Sequence, residues 1–290
     1  MKRVSQHTIP NGLPNKPVKA KKIPQPYSPP ELFTLHMLAA FIGNRGSGKT
    51  HAMVSLARKY IEEGSFNRVF IISPTYESNP IFHVLHAEEE DVYTDLHGAA
   101  KALEDILAKC AQDDKDYRDF CKYKKAYERW KMDKTLTYEQ QVILQNNQYA
   151  KPPPNIPAPS PLLILDDMSH SDIYSTSRSN AFINLCLRHR HINKGRGISI
   201  FMATQTFRTG LPKALRQNVT QMFIWPTKDQ TQRDAIYHEI ANLVDKEEFE
   251  SLYDEATKEP HSFLTIDSNA PHPSLQFRKN FDTYLSLHNS

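Results

Sequence analysis

The chain has 290 residues, 39% of them hydrophobic and 24% charged, which suits one large α/β domain with an insertion or tails. Its net charge of +3 excludes nucleic-acid binding through the whole-molecule field and leaves that role to a local basic patch. The three cysteines, Cys110, Cys121 and Cys186, show no CxxC or Cys/His metal spacing and cannot all pair. No apolar stretch approaches the ~20 residues that cross a bilayer, and the first residues lack the apolar core of a secretion signal. A soluble, intracellular protein is expected.

Residues 1–33 read as a flexible basic arm. The first thirty contain seven prolines, six Lys or Arg and no acid, too little apolar surface to offset the entropy of ordering. From residue 34 the pattern changes to short apolar runs separated by helical segments. HMLAAFI (36–42), NRVFIISP (67–74), PLLILDD (161–167), GISIFMAT (197–204) and VTQMFIWP (219–226) read as buried strands. Uninterrupted apolar strands alternating with helices predict a mainly parallel sheet covered on both faces. KDQTQRDAIYHEIANLV (228–244) and KEEFESLYDEATKE (246–259) predict late amphipathic helices. The domain is expected to span 34–267, with 268–290 as a C-terminal tail.

A charged, tyrosine-rich stretch without glycine, 112–149, precedes the proline run KPPPNIPAPSP (151–161). It reads as two solvated helices and a linker, a helical insertion over 112–161. Its lysines and arginines are interspersed with acids, so a surface insertion is the better reading than a DNA-touching element.

Gly43-Asn44-Arg45-Gly46-Ser47-Gly48-Lys49-Thr50 matches G-x-x-x-x-G-K-[ST] at every fixed position, after a strand and before a helix. Glycines in such a loop let backbone N–H groups turn inward around phosphates, and the helix aims its positive end at them. Lys49 is expected to neutralise the β and γ phosphates, and Thr50 to ligate Mg²⁺ through its hydroxyl. ATP and Mg²⁺ are the expected cofactors. Four apolar residues then end in Asp166-Asp167, with Asp166 assigned to the Mg²⁺ shell and Asp167 to polarising the attacking water. Such an acid pair favours a water-activating ATPase. Gln205, at the end of the strand SIFMAT, is placed to sense the γ-phosphate or orient water. The fold class is therefore an α/β P-loop NTPase of the RecA/ASCE type, carrying a helical insertion.

Arg188, Arg190, Lys194 and Arg196 form the densest positive run of the folded part, with no acid between Asp172 and Asp229. They are the candidates for sequence-independent phosphate contacts to double-stranded DNA. Phosphoryl transfer also wants an arginine on the γ-phosphate. Arg216 is the first candidate; Arg45 in cis and Arg188, Arg190 or Arg196 are the others.

The order of P-loop, Ser73-Pro74-Thr75, LILDDM, RHRHINKGRGISIFMATQ and LPKALRQNVTQMFIW resembles the poxvirus-type genome-packaging ATPases of the FtsK–HerA superfamily, over roughly 34–245. The resemblance implies ATP-driven translocation of viral double-stranded DNA into a preformed capsid by a homo-oligomeric ring. It further implies docking on a capsid or inner-membrane vertex protein, in host cytoplasm, virus factory or virion. Two departures are Asp166-Asp167, where cellular members usually carry Asp-Glu, and the insertion. A HerA-like translocase or helicase outside packaging and a P-loop small-molecule kinase stay open as alternatives.

Overall fold

The computed structural model describes residues 26–147, 156–168, 171–174 and 180–287. The first 25 residues of the basic arm and residues 151–155 of the proline run lie outside the described residues. The strands are β1 (Leu38–Ile42), β2 (Arg68–Ile72), β3 (Val92–Tyr93), β4 (Pro161–Leu165), β5 (Ser199–Thr204), β6 (Gln221–Ile224), β7 (Leu264–Asp267), β8 (Phe277–Lys279) and β9 (Thr283–Tyr284). They form one sheet in the order β3-β2-β4-β5-β1-β6-β7-β8-β9. The run from β3 to β6 is parallel, and β7 to β9 continue it antiparallel.

The helices are α1 (Lys49–Glu62), α2 (Ala99–Lys131), α3 (Tyr138–Asn146), α4 (Ala181–Arg188), the short turns α5 (Ile192–Gly195), α6 (Phe207–Gly210) and α7 (Lys213–Arg216), then α8 (Gln230–Ile240) and α9 (Lys246–Ala256). The central strands are apolar throughout because both faces are covered, and the period of two divides their side chains between two cores. Leu38, Ala40 and Ile42 face the layer that holds α2, α4, α8 and α9. Ala39 and Phe41 face α1, where Phe41 stacks on Phe223 at 4.5 Å between ring centroids and touches Phe201 at 5.6 Å. The five expected strands all form, each within two residues of the ends read from the sequence.

Two boundaries need correction. Residues 268–290 are not simply a tail, because β8 and β9 extend the sheet. Arg278 is buried there, stacked over Phe33 at 4.5 Å and donating to the carbonyl of Glu31 at 2.9 Å, which ties β8 to the segment before β1 and takes buried Phe33 out of the expected flexible arm. The first helix of the insertion begins at Ala99 rather than at 112. Its first half packs Ala102, Leu103, Ile106 and Cys110 into the main core. Arg68, at the head of β2, donates to Asp91 at 2.7 Å and to Asp113 on α2 at 2.9 Å, fastening the helix to the sheet edge. Only the outer half of α2 and α3 project, holding each other through Tyr123, Ala126 and Leu144. Among the described residues no helix is long and apolar enough to cross a membrane.

Candidate active site

The parallel strands end on one edge of the sheet, and the three sequence motifs meet there. Because β5 lies between β1 and β4, the strand ending at Gln205 separates the strand of the glycine loop from the strand of the acid pair. The three ends line one cavity of about 440 Å³, bordered by Arg45, Lys49 and Thr50, by Asp166 and Asp167, and by Gln205.

The loop is shaped for an anion. Gly46 and Gly48 have φ of 77° and 100°, in the left-handed region that favours glycine. Gly43 is needed for a different reason: a Cβ there would lie 2.6 Å from the Cβ of Trp225. The helix that follows has neither a side-chain cap nor an acid in its first turn, so its leading N–H groups and its positive end are left for a ligand. The loop is pinned to the sheet by the N–H of Gly43, which donates to the carbonyl of Thr204 at 3.1 Å. Lys49 reaches back to the carbonyl of Asn44 at 2.9 Å. Burial lowers the pKa of its ammonium, against the pull of Asp166 and Asp167.

Thr50 donates to both carboxylate oxygens of Asp166, at 3.1 and 3.3 Å, joining two residues 116 positions apart. Asp166 is held at the strand end by its own N–H, which donates to the carbonyl of Ile72 at 3.1 Å. It is 5% exposed. Burial, reinforced by the neighbouring Asp167, raises its pKa to about 6, although Thr50 and Lys49 pull the other way. A buried carboxylate and a hydroxyl at this spacing, open to a phosphate cavity, are a donor set that fits Mg²⁺, which takes one or two protein oxygens and completes its shell with phosphate and water. Asp167 turns the chain at φ 55°, an uncommon conformation that puts its side chain in the cavity beside Asp166.

The loop after β2 contributes residues that sequence reading assigned no role. Thr75, Ser78 and Asn79 line the cavity. The signal was available: a polar TYESN stretch at the ligand-bearing edge of a parallel strand.

The arginines divide. Arg45 is exposed and lines the cavity. Arg216 is not brought to it: its guanidinium lies over Phe207 at 5.4 Å and 3.9 Å from Glu239, mostly covered. Arg188, Arg190 and Arg196 precede β5 and therefore sit at the opposite edge of the sheet, the length of a strand away. None can serve its own subunit's cavity. Arg188, Arg190 and Lys194 are exposed there. Arg196 must be removed from the group of DNA contacts, because it donates to buried Asp114 of α2 at 2.9 Å and stacks over Tyr117 at 4.5 Å.

Sheet order, glycine loop and acid pair together define an α/β fold of the P-loop NTPase class. No protein-family model matches the chain, and no curated protein matches it in sequence. Among solved structures it is similar to the genome-packaging NTPase B204 of Sulfolobus turreted icosahedral virus 2 in complex with AMP, at 12% identity and a TM-score of 0.49, over 84% of this chain and 96% of that one. The DNA-packaging ATPase B204 of Sulfolobus turreted icosahedral virus matches 87% of this chain and 98% of its own, at 13% identity and a TM-score of 0.47. The pCW3 conjugation coupling protein TcpA, solved with ATPγS, matches 85% and 60% respectively, at 10% identity and a TM-score of 0.43.

Proposed function

We propose that this chain is an ATPase that drives double-stranded DNA, and that its biological task is packaging a viral genome into a preformed capsid. The observation that carries the hydrolytic part is the meeting of Thr50 with Asp166 at 3.1 Å in a cavity also lined by Lys49, Asp167 and Gln205. In this reading Lys49 and the loop N–H groups hold the phosphates and draw off their charge. Thr50 and Asp166 would hold Mg²⁺, which would supply positive charge to the transferring phosphate. Asp167 accepts the proton of the attacking water, and Gln205 orients that water against the γ-phosphate. Arg45 is the arginine placed to stabilise the transferring group within one subunit.

The DNA part rests on the exposed Arg188, Arg190 and Lys194 at the far edge of the sheet, a cluster that suits phosphate contact without base reading. The order of motifs supports placement among the poxvirus-type packaging ATPases. With it come a homo-oligomeric ring, a capsid or inner-membrane vertex protein as docking partner, and action in the infected cell. The test is phosphate release from ATP and Mg²⁺ with and without long double-stranded DNA, alongside the mass of the assembly. Stimulation by DNA at low salt, lost as salt is raised, is expected. A rate indifferent to DNA but dependent on a small hydroxylated acceptor would replace this reading with a kinase.

A further inference from the structure

Among the described residues the side chain of Gln205 makes no hydrogen bond, so its place at the cavity is set by the backbone of the turn that carries it. That turn runs from Thr204 to Gly210 and is closed twice within itself. The Thr204 hydroxyl donates to the carbonyl of Thr206 at 3.0 Å. Gly210 folds back so tightly on the strand end that a Cβ there would collide with Oγ1 of Thr204. The third hold comes from outside the turn. The N–H of Phe207 opens the four-residue α6, and Thr206 before it offers no side-chain cap. Phe207 is buried, so this donor needs an acceptor. Gln232, on α8 and 25 residues later, supplies it: its side-chain oxygen accepts from the Phe207 N–H at 2.8 Å.

The acceptor is itself held from several sides. Asp229 caps α8 by accepting from the N–H of Thr231 at 2.9 Å, and Ile236 and Ile240 sit in the main core. Arg233, next to Gln232, meets Glu250 of α9 at 3.0 Å and lies over Tyr253 at 5.5 Å. The Tyr253 hydroxyl accepts from the N–H of Thr227 at 2.7 Å and donates to the carbonyl of Trp225 at 3.2 Å, just beyond the end of β6. α8 is therefore fastened to the same sheet edge that carries the cavity, and Gln232 ties the Gln205 turn to that frame.

We propose that Gln232 is a positioning residue for hydrolysis: through the Phe207 N–H it sets where Gln205 stands against the attacking water. The inference rests on the reading of Gln205 as the group that orients this water. Without the acceptor a buried donor is left unpaired, and the turn shifts to satisfy it. A shift of about 1 Å in a group that orients a reactant costs on the order of a hundredfold in rate at most. Lys49, Thr50 and Asp166 belong to other segments and keep their places, so the loss falls on kcat and not on KM. Gln232 lies outside every nucleotide motif of the sequence.

Steady-state hydrolysis of ATP with Mg²⁺ would compare wild type with Gln232→Met and Gln232→Ala, which remove the acceptor, and with Gln232→Glu, which keeps it. The same two acceptor-free changes would be made in a Gln205→Ala background. Far-UV circular dichroism and titration with a slowly hydrolysed ATP analogue check the fold and the phosphate site, and either acceptor-free variant carries the test if the other does not fold. Both should lower kcat about tenfold with KM within about twofold, and Gln232→Glu should restore kcat to within about threefold of wild type. Gln205→Ala should lower kcat by about tenfold or more, and loss of the acceptor should then change nothing further, because the turn no longer carries a group to place. An undiminished effect in the Gln205→Ala background, a Gln232→Glu as slow as Gln232→Met, or full activity without the acceptor would overturn the positioning role and leave Gln205 standing. Full activity of Gln205→Ala would overturn the reading of Gln205 and this inference with it. A wild type that hydrolyses no ATP would overturn the proposed function as well.

Discussion

Replacing Asp166 by asparagine should make the metal-free protein more stable and the enzyme inactive, and the size of the first effect follows from the site. The carboxyl is 5% exposed, and its pKa is raised from 3.8 to about 6, burial being the largest cause. A shift of roughly two units corresponds to about 3 kcal/mol of preference for the neutral form in the folded state. The folded protein therefore holds this proton more tightly than the unfolded chain does. Stability in the absence of metal is untouched by this group below about pH 4, falls as pH rises through about 6, and levels off above it. The amide of Asp166→Asn keeps an oxygen for the Thr50 hydroxyl and titrates nothing. Urea denaturation in EDTA, followed by far-UV circular dichroism from about pH 4 to pH 8, reads the effect, because ionisable groups that do not interact with Asp166 cancel in the difference. The variant should match wild type at the acid end and exceed it by about 2–3 kcal/mol at the alkaline end, while its Mg²⁺-dependent hydrolysis falls at least a hundredfold. A stability difference that stays constant across that range would refute the placement of a buried carboxylate whose partners do not offset the cost of its charge.

Gly43→Ala should cost about 1–3 kcal/mol in the same assay, since its Cβ would press within 2.6 Å of the Trp225 Cβ, an atom next to the backbone that has little room to yield. Asp114→Ala removes the buried acceptor shared by Arg196 and Arg118, each at 2.9 Å, and should lower stability by about 3 kcal/mol. DNA affinity should not change in that variant at a temperature where it stays folded, because the freed Arg196 still lies on Tyr117. In DNA titrations against salt, Arg190→Ala and Lys194→Ala should each flatten the slope of log K on log salt by about 0.9, whereas Arg196→Ala should leave it unchanged. Equal slopes for all three variants would remove the far edge of the sheet from the DNA path.

Much of the cavity was legible in advance, because its parts are local patterns whose physics is local. The glycine spacing, the helix without an N-terminal acid and the apolar strand ending in two acids each name their neighbours in the chain, and a parallel sheet brings strand ends to one edge without further instruction. What could not be read depends on partners far away. Arg196 looks like one more cation in a basic run, and its withdrawal from the surface depends on Asp114, 82 residues earlier on α2. Arg216 follows the same logic through Phe207 and Glu239. β8 is three residues long and carries two cations, so it has no strand pattern of its own. Arg278 is buried there because Phe33 and the carbonyl of Glu31 receive it. The start of α2 was legible, with apolar residues at 99, 102, 103, 106 and 110 in helical spacing, but the charged stretch beyond it drew the boundary too late.

The placement of nucleotide and basic residues at opposite edges limits how one could act on the other. β5 joins them: Gln205 follows its last residue and the turn bearing Lys194 precedes its first. Its six residues are all buried, and it lies between two parallel neighbours, with Ile200 to Thr204 paired to β1 and Ser199 to Met202 paired to β4. A slip of one residue along either neighbour would turn Ile200 and Met202 toward the α1 face and exchange them with Phe201 and Ala203, undoing both cores at once. Sliding of the strand is thus excluded as the link over its length of about 20 Å. A change at the γ-phosphate reaches the basic turn either by displacing the sheet as a body or through α4, which ends at Arg188 and packs both on the segment Asp172–Tyr174 behind the acid pair and on α7 beyond Gln205.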